Sequence, residues 1–354
     1  AVGQSQTFRW ILETGVNYGT VVFSAAAQGA DAILPITVSS NTAVSEMLTI
    51  EQPPALVSRV DAYPNTVNTS QMITILMTVT NNGQADAVNV IPSQLFKSGS
   101  ALANPNNPNT HSPSSAVIPG GGGVAVFTWV TQATGAGTIN WLGWAQGQDE
   151  NSLNAYLSAS TSTNVITVQR PANLSIASVA APSYVTVGQQ FTVIMTVTNL
   201  GGATAAASSA VMNISSGTGG VIPVVTPAAV DIEGNSTAAL TWVYQASGQG
   251  NVVLSAVITG TDSNTGATVT DADFTGTINI QSPAVISSNI SIAPAMNYNG
   301  QVFTVSMLVN NSGQASASSV SITPFVLTET GASAFMITEP SPLTKTVAGG
   351  TSQV

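Results

Sequence analysis

The chain has 354 residues and a net charge of −10, from 15 Asp and Glu against 5 Lys and Arg, with no cysteine and one histidine. Five scattered cations, Arg9, Arg59, Lys97, Arg170 and Lys345, cannot displace counterions from a phosphate backbone, which excludes nucleic acid and disfavours an anionic membrane surface. Disulfides and thiolate metal sites are excluded, and a single His leaves a catalytic triad or a zinc site without its parts.

Hydrophobic residues reach 44% while charged ones are only 6%, against a usual ~25%. Ser, Thr, Asn and Gln must therefore supply the polar surface. Such a composition suits an exported structural chain of a bacterium or archaeon better than a cytosolic enzyme, and so few Lys and Arg also blunt trypsin-like cleavage. There is no run of about 20 apolar residues, so no helical membrane span is expected. A start at Ala1 without Met leads us to expect a processed protein or a window of a longer one.

In chain order, residues 1–52 open on Phe8-Arg-Trp10 and continue with Gly19-Thr-Val-Val-Phe23 through Asp31. Gln52-Pro53-Pro54 marks the first joint, since Pro ends an outgoing strand and stiffens a connection. Residues 53–170 then carry Met77-Thr-Val-Thr-Asn81-Asn-Gly83-Gln-Ala85, Phe127-Thr-Trp129 and Gly137-Thr-Ile-Asn-Trp141 through Asp149. After Arg170-Pro171-Ala172, residues 171–282 repeat the order with Met195-Thr-Val-Thr-Asn199-Leu-Gly201-Gly-Ala203, Leu240-Thr-Trp242 and Gly250-Asn-Val-Val-Leu254 through Asp262. Ser282-Pro283-Ala284 opens residues 283–354, which carry Met307-Leu-Val-Asn-Asn311-Ser-Gly313-Gln-Ala315 and stop just before a tryptophan phrase is due. The methionines recur after 118 and 112 residues and the tryptophans after 119 and 113, so two independent markers share one period.

Within each repeat, runs such as Phe191-Thr-Val193-Ile-Met195-Thr-Val197 alternate apolar and mostly small polar residues, then break at Asn and Gly. That is a half-buried strand followed by a turn. No 3.6-residue stripe is sustained. The expected fold is all-β: tandem immunoglobulin-like β-sandwich repeats, two complete domains flanked by two complementary half domains. Trp10, Trp129 and Trp242 are expected to anchor the cores.

The Met-Thr-Val-Thr-Asn-x-Gly-x-Ala phrase, the Phe-Thr-Trp strand and the Gly260-Thr-Asp262-Ser-Asn-Thr-Gly266 hairpin together resemble the bacterial cell-adhesion-related (CARDB-like) immunoglobulin-like family. The resemblance covers essentially the whole chain. It implies a seven-stranded sandwich used as a surface or secreted module, and it brings no catalytic residues.

Residues 1–52 hold the second half of a repeat and 283–354 the first half, overlapping only where Ala1–Thr7 and Ala348–Val354 occupy the same seven positions. An open half exposes an apolar face and strand edges. Covering it removes on the order of 1,000 Å² of apolar area, roughly 25 kcal/mol before ordering costs. Either the chain is cut from a longer array, or the tail of one copy is completed by the head of the next, with Phe8 and Trp10 at that interface. Either way, copies are expected to join head to tail. A terminus folded back on the other end of its own chain opposes this expectation.

Other candidates are sparser. His111, in a Pro- and Asn-rich loop, reads as a solvated side chain, and Glu13, Glu233 and Glu329 belong to no catalytic motif. Asp149, Asp262, Asp271 and Asp273 supply hard oxygen ligands for calcium, or simply cap hairpin turns. Leu142 and Trp144 are expected on the outer face, where the sister repeats have Ser24 and Ala26 or Ser255 and Val257. Three readings stay open for that pair: an inter-subunit contact, glycan stacking, or packing under a loop. Asn-x-Ser/Thr triplets make Asn68, Asn173, Asn213, Asn235, Asn289 and Asn310 glycosylation candidates.

Overall fold

Alternation with period two decides where the strands lie and which face each one buries. The computed structural model describes residues 3–322 and 325–353, and the chain divides into two units, Ala1–Gln169 and Arg170–Val354. Among the described residues there is no helix.

In the first unit, Leu102–Asn104, Gly123–Gly135, Met72–Asn81 and Leu56–Tyr63 form one sheet in that order. Met72–Asn81 turns Ile73, Ile75, Met77 and Val79 inward, in register with Thr131, Trp129, Phe127 and Ala125 of the neighbouring strand. The facing layer holds two sheets, Ala116–Ile118, Ala87–Pro92, Ala145–Asp149 and Ala155–Leu157 in one, and Phe96–Ser98, Gly137–Gly143 and Ile166–Gln169 in the other. After Tyr63 the chain passes Pro64, which has no N–H to extend the ladder. It then crosses over, and Thr66–Asn68 runs parallel to Ile166–Gln169 in the facing layer. One contiguous core from Leu56 to Val168 lies between the two layers.

The second unit repeats this plan. Leu174–Ala180, Gln190–Asn199, Thr237–Gly248 and Gly220–Val225 make one sheet. Tyr184–Thr186, Ile278–Gln281, Gly250–Asp262, Ala205–Gly217 and Val230–Ile232 make the other, again with one parallel pair at the crossover, and Thr268–Phe274 joins along Gly250–Asp262. Its core runs from Ala172 to Ile280. The chain is therefore all-β, built of sandwich repeats.

The remaining segments form short sheets that do not complete a sandwich. In residues 3–52 a long hairpin pairs Gly19–Val21 with Leu48–Ile50, Ser24–Ala25 with Ala43–Val44, and Gln28–Ala30 with Thr37–Ser39. In residues 283–353, Ile286–Ala293 pairs with Thr304–Asn311, which also holds Thr351–Gln353, while Ala317–Ser321 pairs with Thr344–Val347. Ala1, Val2 and Val354 lie outside the described residues, so the overlap of Ala1–Thr7 with Ala348–Val354 is followed only from Gly3 and up to Gln353.

The core reading of the tryptophans needs one correction. Trp129 and Trp242 are 0% and 2% exposed, whereas Trp10 is 70% exposed. Residues 4–18 form no strand, and no second sheet lies over Trp10, so its indole has no core to enter.

Candidate functional site

The repeated asparagine is a knot that ties four backbone groups. Asn81, Asn199 and Asn311 are all fully buried. Each Oδ1 accepts the N–H of the glycine two residues on, Gly83, Gly201 or Gly313, and the N–H of the entering strand at Ala55, Asn173 or Val285, at 3.0–3.1 Å. Each Nδ2 donates to the carbonyl of Ala85, Ala203 or Ala315 and to that of Ile118, Ile232 or Val347, at 2.8–3.1 Å. An amide offers two donors and an acceptor oxygen, and satisfying all of them offsets the cost of burying it. Glycine is required beside the knot. A Cβ on Gly83, Gly201 or Gly313 would run into the carbonyl of Pro53, Pro171 or Pro283. The residue before each proline is held too: the carbonyls of Gln52, Arg170 and Ser282 accept the N–H of Ala85, Ala203 and Ala315 at 2.9–3.0 Å.

The aspartates with calcium-type oxygens are occupied by backbone. Asp149 Oδ1 accepts the N–H of Asn151 and Ser152, and Asp262 Oδ1 accepts those of Asn264 and Thr265. Asp262 Oδ2 also takes the N–H of Ala172 at 2.6 Å, closing the start of the repeat onto its hairpin. Asp271 accepts from Ile176 and Ala272, and Asp273 from Phe274. Asp31 holds the N–H of Ile33 and Leu34, and these bonds, that of Leu34 foremost, keep its carboxyl below the usual range. Among the described residues no three acidic, His or Cys side chains gather as metal ligands.

The open segments carry many exposed apolar side chains. Phe8 is 73% exposed, and Ile11, Leu12, Ile286, Ile290, Ile292 and Phe303 are exposed with it. Edges are open as well. Thr304–Asn311 is paired along its whole length on one side, but on the other, among the described residues, only at Val309, Asn310 and Asn311.

Leu142 and Trp144 face outward, and the structure adds a residue that the sequence did not single out. Phe96 lies in register with Leu142 and stacks on Trp144, ring centroids 5.7 Å apart and planes within 8°. Trp144 sits at a break between Gly137–Gly143 and Ala145–Asp149, and its backbone exchanges bonds with Ser93. Phe96 occupies the place of Asn213, because Asn213 pairs with Ser255 where Phe96 pairs with Leu142. Comparison with the sister repeat at that position was the signal available.

Two further expectations need correcting. His111 is only partly exposed: its ring packs on Phe127 and Trp129 at 5.8 and 5.4 Å, and its Nδ1 donates to the Pro113 carbonyl. The loop thus folds over the end of the core instead of standing in water. Asn68 is 1% exposed and its N–H donates to Gln71, so it offers no accessible side chain for glycosylation. Asn173, Asn213, Asn235 and Asn289 are exposed, and Asn310 is half-buried. A crevice of about 370 Å³ in the second unit is lined by Tyr184, Asn251, Asn279 and Gln314 among others, without an acid, a His or a cation.

No family model and no curated protein matches the chain. Similar solved structures include a protein of unknown function from Porphyromonas gingivalis W83, at 9% identity over 63% of this chain and 99% of that one, TM-score 0.22. E. coli alpha-2-macroglobulin matches at 12% identity over 76% and 20%, TM-score 0.24. Red sea bream transglutaminase matches at 12% over 64% and 31%, TM-score 0.22. The chain thus spans well under two thirds of the macroglobulin and of the transglutaminase. Likenesses this distant carry nothing about function, and the fold rests on the strands themselves. No described helix is long and apolar enough to cross a membrane.

Proposed function

We propose that residues 1–52 and 283–354 are two halves of one sandwich, and that the tail of each copy is completed by the head of the next. Strand complementation of this kind makes a heterologous contact that does not close, and so builds a filament. The protein then acts as an extracellular structural subunit, or a segment of a longer chain, in a filament or surface array of a bacterium or archaeon, in keeping with its CARDB-like phrases, and not as a catalyst. The observation that carries this reading is Trp10, exposed at the position where Trp129 and Trp242 fill a core. Burying one such ring is worth roughly 1.5–3 kcal/mol, and Phe8, Ile11 and Leu12 add to it. Electron microscopy of the purified chain, with light scattering, tests the reading. Fibres repeating every three sandwich domains are expected, and a monodisperse monomer would end it.

A second reading, an adhesin or glycan-binding stalk, is favoured by the stacked Phe96 and Trp144 beside Leu142. A stacked pair with Phe96 exposed and Trp144 half-buried suits a sugar face. Glycan-array binding that is lost in Trp144→Ser would select it.

A further inference from the structure

The complete repeats specify more than the fact of completion. In both, the strand ending at the buried Asn pairs with the tryptophan strand in one register. Met77 lies opposite Phe127 and Ile75 opposite Trp129, and likewise Met195 opposite Leu240 and Val193 opposite Trp242. In both, the facing sheet sets the alanine two residues beyond the phrase against the hairpin aspartate, Ala87 against Asp149 and Ala205 against Asp262. The open segment already begins the first ladder. Val309, Asn310 and Asn311 pair with Gln353, Ser352 and Thr351, and among the described residues nothing continues that ladder along Thr304–Leu308.

We infer, resting on the completion proposed above, that copies join in a single register: Phe8 opposite Met307, Arg9 opposite Ser306 and Trp10 opposite Val305 in one sheet, and Asp31 opposite Ala317 in the other. The incoming strand from Thr7 onward continues the line that Thr351–Gln353 starts, so Gln4–Gln6 are redundant with those three residues. Phe8 and Trp10 enter between the sheets as Phe127 and Trp129 do. Asp31 accepts the Ala284 N–H, as Asp262 accepts that of Ala172. This last bond seals the joint, because Ala284 follows Pro283, which is packed against Gly313. Slippage by two residues keeps the apolar face inward but moves Trp10 away from Val305 and Asp31 away from Ala284, and slippage by one turns every ring to water.

The chain has no cysteine, so engineered pairs report register cleanly. Directly opposite Cα atoms in an antiparallel pair lie ~4.5–5.5 Å apart, within reach of a disulfide, whereas a two-residue shift adds about 6.6 Å. The full-length Arg9→Cys/Ser306→Cys variant, refolded and mildly oxidised, is expected to give a covalent ladder of dimers, trimers and longer species on denaturing gels. Arg9→Cys/Leu308→Cys should cross-link at least ten-fold less, and the two single variants should stop at dimers. Fibres that link through the shifted pair and not through 9 and 306 overturn the register while leaving completion intact. A compact monomer linked internally through 9 and 306 keeps the register and overturns completion between copies. Monomers without any link overturn both.

Discussion

Trp242 and Trp10 stand at the same place in the repeat and meet opposite surroundings, 2% against 70% exposed. Asn199 and Asn311 also stand at one place, yet both are fully buried with the same four bonds. The two comparisons separate two levels of organisation. The asparagine knot needs only the segments near its own strand turn and the Gly at its side, so half a repeat makes it. The core needs both sheets complete, and half a repeat has only part of each. Among the described residues beyond Ile280, Val347 is the only fully buried apolar side chain, and it lies at the knot. Local order is therefore complete in the open segment before packing is.

The sharpest way to break this contrast is at the tryptophans. Trp242→Ala is expected to destabilise the complete repeat by about 3–5 kcal/mol, the usual cost of emptying a core of an indole, read as a lowered transition in calorimetry of the full chain. Trp10→Ala should shift the transitions of unassembled chain by less than ~0.5 kcal/mol, yet abolish fibres. Equal thermal effects at both sites would show Trp10 already packed within its own chain. Next comes the knot. Asn199→Ala leaves the N–H groups of Gly201 and Asn173 and the carbonyls of Ala203 and Ile232 without their partner. About 2–4 kcal/mol should be lost, since an unmet buried polar group costs ~1–3 kcal/mol and relaxation recovers part of the total. A loss below ~1 kcal/mol would mean that water replaces the amide and the knot is decorative.

The fold was legible wherever burial alternates or a turn needs a special backbone. Ile73, Ile75, Met77 and Val79 show their sheet face in the one-dimensional pattern, and the Asn-x-Gly phrase announces its turn. Other features depend on register between strands distant in sequence, which no single stretch encodes. Phe96 meets Trp144 only because two strands about 45 residues apart align. The bulge after each phrase places Asn89, Ala207 and Ser319 at φ 50°, 47° and 53°; only Asn is at ease there, so three unlike residues hid one shared geometry. His111 reads as a loop residue, and nothing local says that its loop closes over Phe127. Asn68 matches a triplet that reports composition, whereas its burial follows from the parallel crossover strand.

Smaller effects test the outer face of the first repeat against its sister. Gly250–Asp262 runs unbroken, while its counterpart is interrupted at Trp144. Trp144→Ser puts a small side chain where the sister repeats hold Ala26 and Val257 and removes one aromatic stack, a change of about 0.5–1.5 kcal/mol. Assembly and glycan binding unaltered in this variant would leave packing as the role of the ring, and loss of either would assign the face to that contact.

The smallest effect expected is none. Calcium at the hairpins would have to pull Asp262 away from the N–H groups of Ala172, Asn264 and Thr265 and from the Thr265 hydroxyl, all now within 3.0 Å of its oxygens. Asp149 and Asp271 likewise spend oxygens on backbone donors. Ion binding would thus exchange charge-assisted bonds for coordination where, among the described residues, no three acidic side chains gather, too little to order a hairpin that backbone donors already hold. Chelator should therefore move Tm by less than ~1 °C, whereas an ion worth even 1 kcal/mol shifts a domain of this size by about 4 °C. A drop of that order on chelation would show that the aspartates rearrange around a cation, and the turn reading of Asp149 and Asp262 would have to be given up.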